Sequence, residues 1–294
     1  MHTKSSRSDS IYYLTINTVL GLLMLVVLLP LVYMVMSSFS SPHAVNAGKV
    51  FLWPVEPTLE GYKAVFKHNL IGSAYVNTFI YTVSGTMLNL FMTFIAAYPL
   101  SQKNLPFRDF FMFLFTFTML FSGGIIPNYL LINQLGMNNT RLAMILPSAI
   151  SVYNMIIART FIQQIPTSIQ EASTIDGCTD FQFFIRMVLP LSKAVIAVLA
   201  LYYAVDHWNA YFDAFLYLSN RKLYPLQIVL REILIANSMN VSEIMDDESL
   251  AAMQGMKDLV KFSIIIVSSV PILVIYPFVK KHFMQGVMLG AIKG

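Results

Sequence analysis

Ile165-Pro166-Thr167-Ser168-Ile169-Gln170-Glu171-Ala172-Ser173-Thr174-Ile175-Asp176-Gly177, followed after nine residues by Met187-Val188-Leu189-Pro190, is the stretch on which the reading of this chain turns. Pro166 and Ser168 mark a helix start, and the spacing of Ser168 and Glu171 predicts a capping box. Gly177 breaks or turns that helix after about three turns. A second short amphipathic piece, Phe181 to Met187, leads into Leu189-Pro190, where a long apolar stretch begins. The unit is a helix–Gly–helix lying outside a bilayer and joined directly to apolar segments on both sides. Such an element is suited to passing a push from a soluble partner into a membrane bundle.

The rest of the chain supplies that bundle. Of its 294 residues 56% are hydrophobic and 12% charged, whereas an ordinary soluble domain carries about 25% charged residues. Crossing a bilayer takes about 20 mostly apolar residues in helical form. Six spans are predicted, over residues 12–38, 74–100, 108–131, 141–163, 188–213 and 258–280. The fold class is therefore all-α, a polytopic membrane helix bundle. Its parts are a tail over 1–11, a first span and loop over 12–73, a core over 74–280 and a tail over 281–294. Within the core lie the 165–191 unit and a long polar connection over 214–257, which contains the acidic run Glu243, Asp246, Asp247, Glu248. The apolar stretch from Ile11 to Phe39 is longer than a signal-peptide core, so it reads as a retained first span. Asn154 and Asp206 fall inside spans and are expected to face protein or water, not lipid.

An even number of spans puts both termini and the 165–191 unit on one side. Ten of the 19 Lys and Arg residues, Lys280-Lys281 among them, lie on that side, whose loops are shorter. Basic density thus makes it the cytoplasmic one. The net charge of +4 is spread along the chain and leaves no nucleic-acid footprint.

The 165–191 spacing resembles the EAA loop of ABC importer permeases: Glu-Ala-Ala, three residues, Gly, nine residues, Ile, one residue, Leu-Pro. Here Glu171-Ala172-Ser173, Gly177, Met187 and Leu189-Pro190 keep every interval, with Ser173 and Met187 as the departures. The resemblance implies a type I importer permease whose coupling helix docks in a cleft of an ATPase subunit. Glu171 would make the polar contact and Gly177 would permit the bend, with Ala172, Ser173, Asp176, Leu189 and Pro190 completing the motif. Read without it, the two are a helix-cap carboxylate and a turn glycine. Phe121-Ser122-Gly123-Gly124-Ile125-Ile126-Pro127, Trp208-Asn209-Ala210-Tyr211-Phe212-Asp213 and the tail from Phe283 to Gly294 resemble carbohydrate permeases related to the maltose importer's second permease. Among these the chain is most similar to the subgroup importing oligosaccharides such as alginate- and pectin-type fragments. The partners so implied are a second homologous permease, an ATPase dimer that binds ATP and Mg, and an extracytoplasmic solute-binding protein. Cargo would be an oligosaccharide.

On the fifth span Tyr202, Asp206, Asn209 and Asp213 recur at intervals of four, three and four, which predicts one helical stripe. Asp206 would stand about 24 Å beyond Pro190 at 1.5 Å per residue, in the outer part of the membrane. Such groups could line a sugar pathway; equally they could pair with Arg141 or Arg221 and hold helices together. Two aspartates facing the path would repel a uronate polymer unless paired with cations. Trp208 points away from the stripe and reads as a packing or interfacial residue.

No Gly-x-x-x-x-Gly-Lys-Ser/Thr occurs, so the chain is not itself expected to hydrolyse ATP. The five histidines are scattered without metal-ligand spacing, and the single cysteine, Cys178, reads as a packing residue. No catalytic constellation emerges. A secondary transporter and an ABC permease for a non-sugar cargo stay open as alternatives, the first disfavoured by the lack of a clear internal repeat.

Overall fold

The computed structural model describes residues 7–238 and 247–291, and side chains over 11–236, 254–275 and 277. The acidic run Glu243, Asp246, Asp247 and Glu248, the pair Lys280-Lys281 and the tail side chains from Phe283 lie outside the residues so described. Among the described residues the chain is helical, with no strand. In order the helices are α1 (Arg7–Ser38), α2 (Pro42–Asn46), α3 (Glu60–Phe66), α4 (Ile71–Ser101), α5 (Arg108–Leu120), α6 (Ile125–Gln134) and α7 (Val152–Ile162). They continue with α8 (Thr167–Ile175), α9 (Asp180–Phe183), α10 (Leu189–Leu191), α11 (Lys193–Asn209), α12 (Phe212–Tyr217), α13 (Leu226–Ser238) and α14 (Asp247–Ala291). Short 3₁₀ turns at Arg141–Met144 and Arg221–Leu223 precede α7 and α13.

The chain divides into two compact units, Met1–Asn69 with Glu232–Ser269, and Leu70–Arg231 with Val270–Gly294. In the first, α1 is apolar and its hydroxyls return to its own backbone, Thr15 to the Ile11 carbonyl at 2.9 Å and Thr18 to that of Leu14 at 2.8 Å. That is how a helix surrounded by hydrocarbon satisfies its polar atoms. The core of this unit joins Ala44, Val45 and Val50 to Leu259 of α14, with Tyr33 and Phe262 edge-to-face at 5.6 Å.

In the second unit α4 is the central element and packs along α11 and α7. Phe94, Ala97, Met155, Ala158, Val195 and Leu199 form the apolar part of that contact. The polar part is a stripe on α4 at four-residue intervals, Asn77, Tyr81, Gly85, Asn89 and Thr93, all buried. Asn77 Nδ2 donates to the Lys222 and Tyr224 carbonyls at 2.7 and 3.1 Å, and the Tyr81 hydroxyl to that of Leu223 at 2.8 Å. Thr93 shares a 2.6 Å hydrogen bond with the Tyr203 hydroxyl. Between helices in lipid, packing and hydrogen bonds replace the hydrophobic driving force, each bond contributing about 0.6 kcal/mol on average. One face of α4 thus pins the 222–224 segment and α11.

Among the described residues three helices are long and apolar enough to cross a membrane, Ile11–Ser38, Ile71–Ser101 and Gln254–Ile275. The expected span over 108–131 is broken by Ser122-Gly123-Gly124 into α5 and α6, bent by 111°. The span expected over 188–213 is bent too, by 78° between Asp180–Leu191 and Lys193–Asn209. Pro190 has no N–H to give the Arg186 carbonyl; a π-turn forms over Phe184–Val188, and the helix restarts at Lys193. Counting each bent pair as one span gives five. Over 141–163 only the 11 residues of α7 are α-helical, because Pro147 lies in the approach.

Candidate functional site

The 165–191 unit is built as a rigid bracket. Its first helix, α8, has Pro166 at its N-cap with no side-chain capping bond. The capping box expected from Ser168 and Glu171 is therefore absent, since Ser168 sits inside the first turn with helical backbone. A capping box does form, one helix later: Thr179 Oγ1 accepts from Gln182 N at 3.3 Å, and Gln182 Oε1 from Thr179 N at 3.1 Å. Gly177, at φ +76°, closes α8. The Cys178 N–H reaches the Ser173 carbonyl at 2.9 Å and the Gly177 N–H that of Thr174 at 3.0 Å. This double bond pattern is a Schellman motif, which needs a left-handed residue at the Gly177 position.

Ser173, the departure from the second alanine, is 5% exposed, and its hydroxyl is spent on the Gln170 carbonyl at 2.7 Å. Serine serves there as a small packing residue. The opposite face of α8 is open: Glu171, Ala172 and Asp176 are exposed, and Ile175 is 86% exposed. Ile165 and Ile169 pack inward against the core of the second unit. The bracket is tied to the end of α4 by Gln170 Nε2 donating to Gln102 Oε1 at 3.0 Å and by the Tyr98 hydroxyl donating to the Asp180 carbonyl at 3.3 Å. Leu189 packs into the same core, and beyond Pro190 the fully buried Ser192 marks the bend into α11.

The second candidate region is a cleft of about 190 Å³ lined by Asn89, Ser148, Ser151, Asp206, His207 and Asp213, with Ile150, Tyr203 and Ala210. A neighbouring cavity of about 550 Å³ between α6 and α12 shares Ser148 and Asp213 with it. Of the four residues expected on one stripe, the structure brings only Asp206 and Asp213 into this cleft. Tyr202 and Asn209 do not line it, and Asn209 Oδ1 accepts from Gln227 Nε2 at 3.4 Å. The stripe itself is interrupted, because α11 ends at Asn209 and Asp213 belongs to α12. Asp213 reaches the cleft through that break. Arg141 turns instead to Asn77 Oδ1 at 3.4 Å, and neither aspartate forms an ion pair among the described residues. Trp208 is buried with its ring 6.4 Å from that of Tyr75, which makes it a packing residue.

Sequence reasoning missed Asn89, Ser148, Ser151 and His207. His207 Nε2 lies 2.7 Å from Asn89 Oδ1, and the Asn89 amide donates onward to the Ser148 carbonyl. The signal available was the four-residue recurrence of polar and small residues in α4. No group of His, Cys, Asp and Glu able to hold a metal occurs among the described residues.

An all-helical bundle of apolar helices, carrying a helix–Gly–helix bracket outside it and a polar cleft within, has the build of a membrane permease subunit. Residues 3–221 match the family described as binding-protein-dependent transport system inner membrane component, and the chain belongs to that family. It is 38% identical over 270 residues to the polygalacturonan/rhamnogalacturonan transport system permease protein YtcP of Bacillus subtilis, covering 92% of this chain and 94% of that one. It is 39% identical over 270 residues to protein LplC of the same organism, covering 92% and 90%. Among solved structures, a chain of a bacterial ABC transporter involved in the import of the acidic polysaccharide alginate superposes with a TM-score of 0.83 at 32% identity, covering 96% of this chain and 99% of that one.

Proposed function

We propose that this chain is one half of the translocation pathway of an ATP-driven importer for an acidic oligosaccharide, and that it couples to the ATPase through α8. The observation that carries the reading is the bracket: an exposed Glu171 on a helix whose end is fixed by Gly177 at φ +76°, with every interval of the EAA pattern kept. With the apolar α7 taken as a sixth span beside the five above, and both termini cytoplasmic, this bracket lies on the ATPase side. ATP and Mg are bound by the ATPase dimer; a second permease completes the pathway, and an extracytoplasmic binding protein delivers the cargo.

Mechanically, α8 moves with the ATPase surface it sits on. The Gln170–Gln102 and Tyr98–Asp180 bonds carry the motion into α4, and the π-turn with Pro190 carries it into α11. Both helices line the cleft of Asn89, Asp206 and His207. Carboxylates and amides there accept and donate to sugar hydroxyls. Asp206 and Asp213 repel carboxylates, so the sugar hydroxyls pass on this half of the pathway and the cargo's own carboxylates face the partner permease or travel with cations.

The cargo is supported by the pectin- and alginate-type substrates named for the similar proteins. Uptake of labelled oligogalacturonides by cells carrying or lacking this chain tests it. Loss of that uptake on deletion, with neutral maltooligosaccharide uptake intact, is expected. Unchanged uronate uptake contradicts the cargo assignment.

A further inference from the structure

We infer that Lys103 is a second electrostatic contact with the ATPase subunit, opposite in sign to Glu171, so that the docking surface reads charge at two points. This rests on the coupling reading above. Between α8 and the turn joining α4 to α5 lies a cavity of about 850 Å³, and Lys103, Arg108, Gln170 and Glu171 are among the residues lining it. Lys103 and Glu171 are both exposed and share this cavity. The ion pair formed here is Arg108 with its neighbour Asp109, at 3.0 Å. Among the described residues Lys103 and Glu171 form none, with each other or otherwise. Arg108 is therefore neutralised within its own turn, while a cation and an anion stand open on two walls of one concavity.

The turn that presents Lys103 is tied to α8 and to the end of α4. Gln102 bonds to Gln170, and its N–H reaches the Pro99 carbonyl at 3.0 Å. Phe107 adopts φ +57° and is 77% exposed. A bulky residue at positive φ is uncommon and marks a tight turn. The occupant that fits is a protruding element of the ATPase surface, offering a carboxylate to Lys103 and a cation to Glu171. Complementary charges at separate points fix partner and register.

The test is purification of tagged chain in mild detergent from cells holding the whole transporter, with the molar ratio of ATPase to chain measured across a salt series. Lys103→Glu is expected to lower the recovered ATPase about tenfold at low salt, like charges now facing each other. Lys103→Arg is expected to keep wild-type recovery, and the second permease is expected in every preparation. Wild-type ATPase recovery with Lys103→Glu, while Glu171→Arg loses it, overturns this inference and leaves the coupling reading standing. Indifference to both variants overturns both. Loss of the second permease together with the ATPase assigns Lys103 to the fold and overturns the inference as well.

Discussion

His207 and Asn89 meet at 2.7 Å inside the second unit, and the imidazole is seated against the bare Cα of Gly85. Because the Asn89 amide nitrogen donates to the Ser148 carbonyl, its Oδ1 is the acceptor and His207 Nε2 the donor. Three elements are joined by this short chain of bonds: α11, α4 and the segment before α7. The cleft that holds Asp206 and Asp213 has it for a wall.

Gly85→Ala places a β-carbon within 2.6 Å of His207 Cδ2 and closer still to the ring's far edge. The ring must shift and its bond to Asn89 must lengthen. Overpacking of this kind costs about 1–3 kcal/mol. A lowered Tm of the detergent-purified transporter is expected. Gly72→Ala in the same helix meets open space, and is expected to leave Tm unchanged or slightly raised, alanine being the better helix former.

Asn89→Leu removes both bonds at once and leaves Nε2 of the buried His207 without its partner. An unmade buried hydrogen bond costs about 1–3 kcal/mol. Thermal unfolding followed by loss of the solubilised transporter should show a drop of the same order as that of Gly85→Ala.

Gly177→Ala tests the bracket by backbone conformation alone, since nothing lies within 4 Å of the added β-carbon. An alanine at φ +76° costs roughly 1–2 kcal/mol. ATPase recovery with the tagged chain is expected to fall, and Gly177→Asn, which tolerates the left-handed region better, is expected to restore part of it.

Asp206→Asn and Asp213→Asn are expected to reduce uptake about tenfold or more, as loss of a charge-assisted hydrogen bond to the cargo does, while ATPase recovery stays unchanged. Tyr202→Phe is expected to leave uptake unaffected, because Tyr202 lies off the cleft. Equal uptake in all three variants would place the pathway elsewhere.

How much of this was readable beforehand depends on whether the signal was local. The bracket was legible because its chemistry is set by nearby residues: Gly177 needs one backbone conformation, and Glu171 to Pro190 lie in one continuous run. The Ser168–Glu171 box failed for an equally local reason, since Pro166 took the N-cap and left Ser168 inside the helix. The bends were half legible. Gly123-Gly124 and Pro190 stand in the sequence as breakers, but apolar composition across them reads as continuous span. The cleft was legible for its two aspartates, though not for the route by which the second enters it. Asp213 reaches it through the break at Ala210, and Asn89, Ser148 and His207 come from segments far apart in sequence whose meeting no local pattern encodes.

The most direct test of the central claim is co-purification with Glu171→Arg. Tagged wild-type chain, extracted in mild detergent, is expected to bring a second permease and a P-loop ATPase. The Glu171→Arg chain is expected to bring the second permease with the ATPase weakened or lost. Recovery of the chain alone, or of an ATPase indifferent to Glu171→Arg, would contradict the coupling role assigned to α8.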